Sequence, residues 1–157
     1  MSKLDYANVV YNDIPQYLLK RLQKVQNAAA GFVLNRRATI SDVIKLKWLP
    51  IKERIDHAVA VLAFKALSDQ TSPPNIKLKL KEDRRELRNQ TAIVGPKIES
   101  LDKLKTFQTC AALVFNNLPK KIRENHNLNI FKQETKKFLL DRAVAHTRLP
   151  LTLLFNN

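Results

Sequence analysis

The residues from Ile14 to Val33, IPQYLLKRLQKVQNAAAGFV, constrain this chain more than any other stretch. Leu18, Leu22, Val25, Ala29 and Phe32 recur every three or four residues, the spacing that lines one side of an α-helix. Gln16, Lys20, Lys24 and Asn27 fall on another side, which stays polar and positive. Asp13 stands where an N-cap belongs, and Pro15 suits a first turn, where a missing N–H costs nothing. The pattern predicts a long helix with an apolar back turned to the core and a basic front.

Composition sets what such a helix packs into. A length of 157 residues is enough for one domain with a single core, and 45% apolar residues exclude a disordered tail. With only two glycines and little strand-like alternation, the expected fold is all-α: a compact bundle of five to six helices with a basic loop insertion. The balance of 28 Lys+Arg against 14 Asp+Glu leaves a net charge of +14. Such a field favours polyanions, either nucleic acid or an acidic membrane surface, while the plainer alternative is solubility alone. Cys110 is the single cysteine, so no internal disulfide forms, and an intracellular compartment, cytoplasmic or nuclear, is expected. The first ten positions do not read as a signal peptide. No run approaches the roughly 18 apolar residues of a membrane span, and no membrane partner is expected. Leu149 to Phe155 is apolar but short, and reads as a docking strap or a frayed end.

Further along, Arg36 and Arg37 are placed to oppose the negative end of the first helix dipole, with a phosphate contact as the alternative. Thr39 or Ser41 is expected to cap a short second helix reaching about Lys47. Trp48 reads as a core residue, and Pro50 opens a third helix with Ile51, Ile55, Val59, Leu62 and Ala66 on its buried face. Residues 69–75 form the clearest linker, since Pro73-Pro74 forbids helix. Ile76, Leu78 and Leu80 alternate with lysines, a weak strand signal, and Arg84, Arg85 and Arg88 extend the positive run. That segment is either a solvated loop or a phosphate-gripping arm. Leu101 to Leu118 reads as another helix, and a last one runs from Asn129, as its cap, to about Ala145.

Several of these segments resemble one family in order. LDYANVVYNDIPQYLLKRLQKVQNAAAGFV is similar to a segment that follows the palm in reverse transcriptases of non-LTR retrotransposons, the jockey-like and chicken-repeat-like elements. The matching positions are Leu4, Asp5, Tyr6, Asn8, Pro15, Leu22, Gln23, Val25, Gln26, Asn27, Ala28 and Ala29. The resemblance continues through Trp48-Leu49-Pro50 with Arg54-Ile55, then Arg85, Leu87 and Arg88, then Asn116, Leu118, Pro119, Ile122 and Arg123, and finally Phe131-Lys132. Ala7 stands where the family favours Cys, Gly31 where it favours Arg, and Phe115 where it has Trp.

The resemblance implies a thumb-like helical region over residues 1–68, a linker and basic loop over 69–100, and a C-terminal helical region over 101–157 packing on the first. A thumb holds the template–primer duplex by its backbone, which needs cations and amides without base readout. The candidate contacts are Gln16, Lys20, Gln23, Lys24 and Asn27, with Arg84, Arg85 and Arg88 as a second clamp on an RNA–DNA hybrid or duplex. An inert or protein-binding helical relic is the alternative.

Catalysis is not expected of this chain. A polymerase needs paired carboxylates for two metal ions, and no adjacent Asp-Asp occurs; Glu82-Asp83 lacks the preceding aromatic residue. His57, His126 and His146 are scattered, one cysteine cannot complete a zinc site, and Gly31 and Gly95 stand alone. No cofactor and no metal are expected.

Overall fold

A computed structural model of the chain describes residues 14–68, 78–80, 92–95 and 106–148. The described residues are all-α: α1 (Gln16–Leu34), α2 (Ile40–Lys45), α3 (Ile51–Leu67), α4 (Phe107–Asn116), α5 (Lys120–Arg123) and α6 (Leu128–Arg148). Beyond the helices, Leu80 and Ile93 form one isolated antiparallel bridge, supported by Val94 N–H donating to the Lys79 carbonyl at 2.9 Å. The rest of the expected basic loop, with Arg84, Arg85 and Arg88, lies outside the described residues, as do Asp13, Glu82-Asp83 and Leu149 to Phe155.

By its internal contacts the chain divides into two units, and the division cuts through α3 and α6. One unit contains Ile55–Thr135. Its buried side chains include Ile55, Val59, Ala63 and Phe64 of α3, Ala111 and Phe115 of α4, Ile122 of α5 and Phe131 of α6. Phe131 is fully buried and stacks on Phe64 (centroids 4.4 Å apart, planes at 26°) and on Phe115 (6.1 Å, 24°). Such ring pairs add about 0.5–1.5 kcal/mol each beyond their burial. Asn116 joins the irregular segment to α4: its side chain accepts from Ile93 N–H at 2.8 Å and donates to Ile93 O at 3.0 Å. These two hydrogen bonds satisfy both backbone polar groups of the buried Ile93. His57 Nε2 lies 3.1 Å from the Lys132 carbonyl oxygen.

The other unit contains Ile14–Arg54 and the part of α6 from Lys136 onward. Here the expected apolar back of α1 is corrected. Gln26 and Ala30 are the buried residues of the helix, whereas Val25 is 56% exposed, Phe32 89% and Val33 57%. Leu18, Leu19, Leu22 and Gln23 are half-buried beside Gln26 and Ala30 while Ala29 is exposed, and what crosses this helix is a length of irregular backbone. Gln26 Nε2 donates to the Leu49 carbonyl at 2.8 Å, and Gln23 Oε1 accepts from Ile51 N–H at 3.0 Å. Leu49, Pro50 and Ile51 are buried, so their polar groups need partners, and two glutamines supply them.

Helix ends differ from expectation in three places, each for a local reason. Pro15 lies just before α1, its carbonyl accepting from Leu18 and Leu19 N–H. Thr106 is extended and caps α4 by accepting from Thr109 N–H, so the helix starts at Phe107, and the expected start at Leu101 lies outside the described residues. Asn127 caps α6, its Oδ1 accepting from Asn129 N–H (2.9 Å) and Ile130 N–H (3.3 Å), two residues before the expected cap. Thr39 and Pro50 stand at the starts of α2 and α3 as the sequence indicates. Trp48 is half-buried.

Candidate nucleic-acid interface

The end of α1 builds a concave surface. Asn35 adopts the left-handed conformation (φ 50°, ψ 36°), which asparagine tolerates better than most residues. Asn35 N–H then bonds to Phe32 O and Arg36 N–H to Gly31 O, so two carbonyls of the last turn of α1 are satisfied and the chain turns back over the helix. The return is so close that a Cβ at Gly31 would stand 2.8 Å from the Arg36 carbonyl oxygen. Glycine at position 31 is therefore the residue this turn requires.

Between α1 and the returning strand of chain lies an open groove of about 520 Å³, lined by Lys24, Asn27, Ala28, Gly31, Arg36, Arg37 and Ala38. Lys24 and Arg37 are exposed, and Lys20 is exposed one helical turn before Lys24. Arg36 is held at the rim by Asp42: its guanidinium donates to both carboxylate oxygens, at 3.2 and 2.6 Å. Asp42 also accepts from Thr39 N–H (2.9 Å) and Thr39 Oγ1–H (3.0 Å) at the start of α2. The Asp42 side chain is 7% exposed and that of Arg36 54%. The Arg36 guanidinium first, and the Thr39 amide after it, hold the Asp42 carboxyl well below the ordinary carboxylate range. The same pair raises the Arg36 pKa, so both charges persist through the physiological range.

The predicted contact residues thus separate. Lys20, Lys24 and Gln16 are exposed on α1, and Lys24 and Asn27 line the groove. Gln23 is engaged inside the unit, donating to Gln26 Oε1 and Asn27 Oδ1, both at 2.9 Å, while it accepts from Ile51 N–H. Sequence reading assigned Arg36 and Arg37 mainly to the helix dipole. Their place beside Lys24 depends on the left-handed turn at Asn35, which an Asn-Arg-Arg sequence signals only weakly.

Among the described residues no group of His, Cys, Asp and Glu side chains converges as a metal site would require, and no helix is long and apolar enough to cross a membrane. No protein-family model matches the sequence, and neither curated proteins nor solved structures show a match to it.

Proposed function

We propose that this chain belongs to the basic all-α proteins that bind nucleic-acid backbone without reading sequence. More particularly, we read it as a noncatalytic piece resembling the thumb and tail of a non-LTR retrotransposon reverse transcriptase. The observation that carries the proposal is the groove in which Lys24, Arg36 and Arg37 meet, with Lys20 exposed one turn along the same helix. Cations gathered on one surface suit contact with the phosphate backbone, and contact of that kind is indifferent to the bases. The net charge of +14 and the order of the family-like motifs support the same reading.

The expected strength is modest. Lys20, Lys24 and Arg37 give about three phosphate contacts, because Arg36 already shares its charge with Asp42. A slope of about −0.9 per phosphate in log K against log salt then gives about −2.7, or a loss of roughly 40-fold between 50 and 200 mM salt. Fluorescence anisotropy with a labelled RNA–DNA hybrid, a DNA duplex and a single strand measures it. Tight binding that ignores salt would sink the proposal.

One observation favours a different reading. Val25, Phe32 and Val33 leave an apolar strip exposed on α1, which suits contact with protein. Under this alternative no nucleic acid binds saturably, and the chain self-associates in a way that Phe32→Ser abolishes.

A further inference from the structure

The turn that forms the groove also presents a hydroxyl in an unusual setting. Thr39 is exposed, its backbone is extended (φ −110°, ψ 176°), and Arg37 and Ala38 before it are outside any helix. Arg36 and Arg37 stand three and two residues before it, and Ile40, 37% exposed, directly follows. Two arginines ahead of a hydroxyl and an apolar residue behind it are what a kinase cleft with an acidic wall and a small apolar pocket recognises.

We propose that Thr39 is the acceptor site of an arginine-directed Ser/Thr protein kinase, and that its phosphorylation switches off the groove. In the transfer from ATP, the Thr39 Oγ1–P bond forms, the bond from the γ-phosphorus to the ADP oxygen breaks, and the hydroxyl proton passes to the kinase's base. The product replaces a hydroxyl that donates to Asp42 Oδ2 at 3.0 Å with an anion of about −1.5 to −2. The anion repels Asp42 and competes with it for Arg36, whose guanidinium has been held by that carboxylate. Before modification, Lys24, Arg36 and Arg37 carry three positive charges at the groove, and Asp42, paired with Arg36, carries one negative charge. The added phosphate cancels their remaining excess, so the surface that would attract a polyanion becomes close to neutral.

The acceptor half stands independently of the nucleic-acid proposal, and the switch half rests on it. The test incubates the full chain with ATP and the catalytic subunit of cyclic-AMP-dependent kinase, then maps the product by mass spectrometry. One phosphate on Thr39 is expected, absent in Thr39→Asn and slowed at least tenfold in Arg37→Ala. Asparagine is a strong N-cap, so Thr39→Asn removes the acceptor while keeping the start of α2, which circular dichroism checks. No incorporation, or incorporation at Ser41 in place of Thr39, overturns the site. Phosphorylated and unmodified chains are then compared by anisotropy on one duplex. A salt slope shallower by about 1–2 units, with weaker binding at low salt, supports the switch. Unchanged binding of the phosphorylated chain refutes the switch and leaves the acceptor standing. If the unmodified chain binds no duplex, the backbone-binding proposal fails and takes the switch with it, whatever the mass spectrum shows.

Discussion

Replacing Gln26 by methionine tests whether a polar side chain holds α1 to the start of α3. Gln26 is 1% exposed and fully enclosed, and its amide donates to the buried Leu49 carbonyl at 2.8 Å while its Oε1 accepts from Gln23. Methionine has nearly the same length and flexibility, so the substitution leaves little cavity and removes mainly hydrogen bonds. The Leu49 carbonyl then remains buried without its partner, which costs about 1–3 kcal/mol. At about 2–4 °C per kcal/mol for a chain of this size, the thermal midpoint falls by about 2–12 °C. Gln16→Met, on the exposed first turn of α1, is the control and should stay within about 0.5 kcal/mol of the parent. Thermal denaturation followed by circular dichroism at matched pH reads both. A Gln26→Met chain as stable as the parent would refute the reasoning, because an apolar residue would then serve the site equally well.

Other perturbations follow from the same geometry. Phe131→Ala removes the ring between Phe64 and Phe115 and should cost about 3–5 kcal/mol, with Phe131→Leu costing visibly less by urea titration. Asp42→Asn should lower the thermal midpoint at neutral pH. Because the folded state holds the Asp42 carboxyl below its ordinary pKa of 3.8, its contribution is present above that value and lost as the pH falls below it. The midpoints of Asp42→Asn and the parent should therefore converge on acidification below about pH 4, and a gap independent of pH would contradict this. Gly31→Arg should destabilise the turn over α1, since even a Cβ meets the Arg36 carbonyl.

The helices were legible in the sequence because their signals are local. Thr39, Pro50 and the periodic run of α3 announce themselves within a few residues, and the all-α class follows from them. The facing of α1 was not legible. Apolar periodicity selects Leu18, Leu22, Val25, Ala29 and Phe32, but burial depends on what crosses the helix. What crosses it is the Leu49–Ile51 backbone, whose carbonyl and amide call for glutamines. Gln23, Gln26 and Asn27 therefore form a hydrogen-bonded set inside the unit. The groove was half legible. Lys20 and Lys24 follow from helical spacing, whereas Arg36 and Arg37 reach the same surface only through the left-handed residue at Asn35 and the close approach at Gly31.

The most direct test of backbone binding by this surface is anisotropy of a labelled RNA–DNA hybrid at 50 mM salt with Lys20→Glu/Lys24→Glu/Arg37→Glu. Two exposed-lysine reversals on α6, Lys136→Glu/Lys137→Glu, serve as the control, and a loss from Arg84→Glu/Arg85→Glu equal to that of the triple variant would shift the site to the basic loop. Loss of about three phosphate contacts predicts a salt slope shallower by about 2.7 and affinity at least roughly 10²-fold weaker, with the α6 pair close to the parent. Equal losses from the triple variant and the α6 pair, or no loss from the triple variant, would contradict the account.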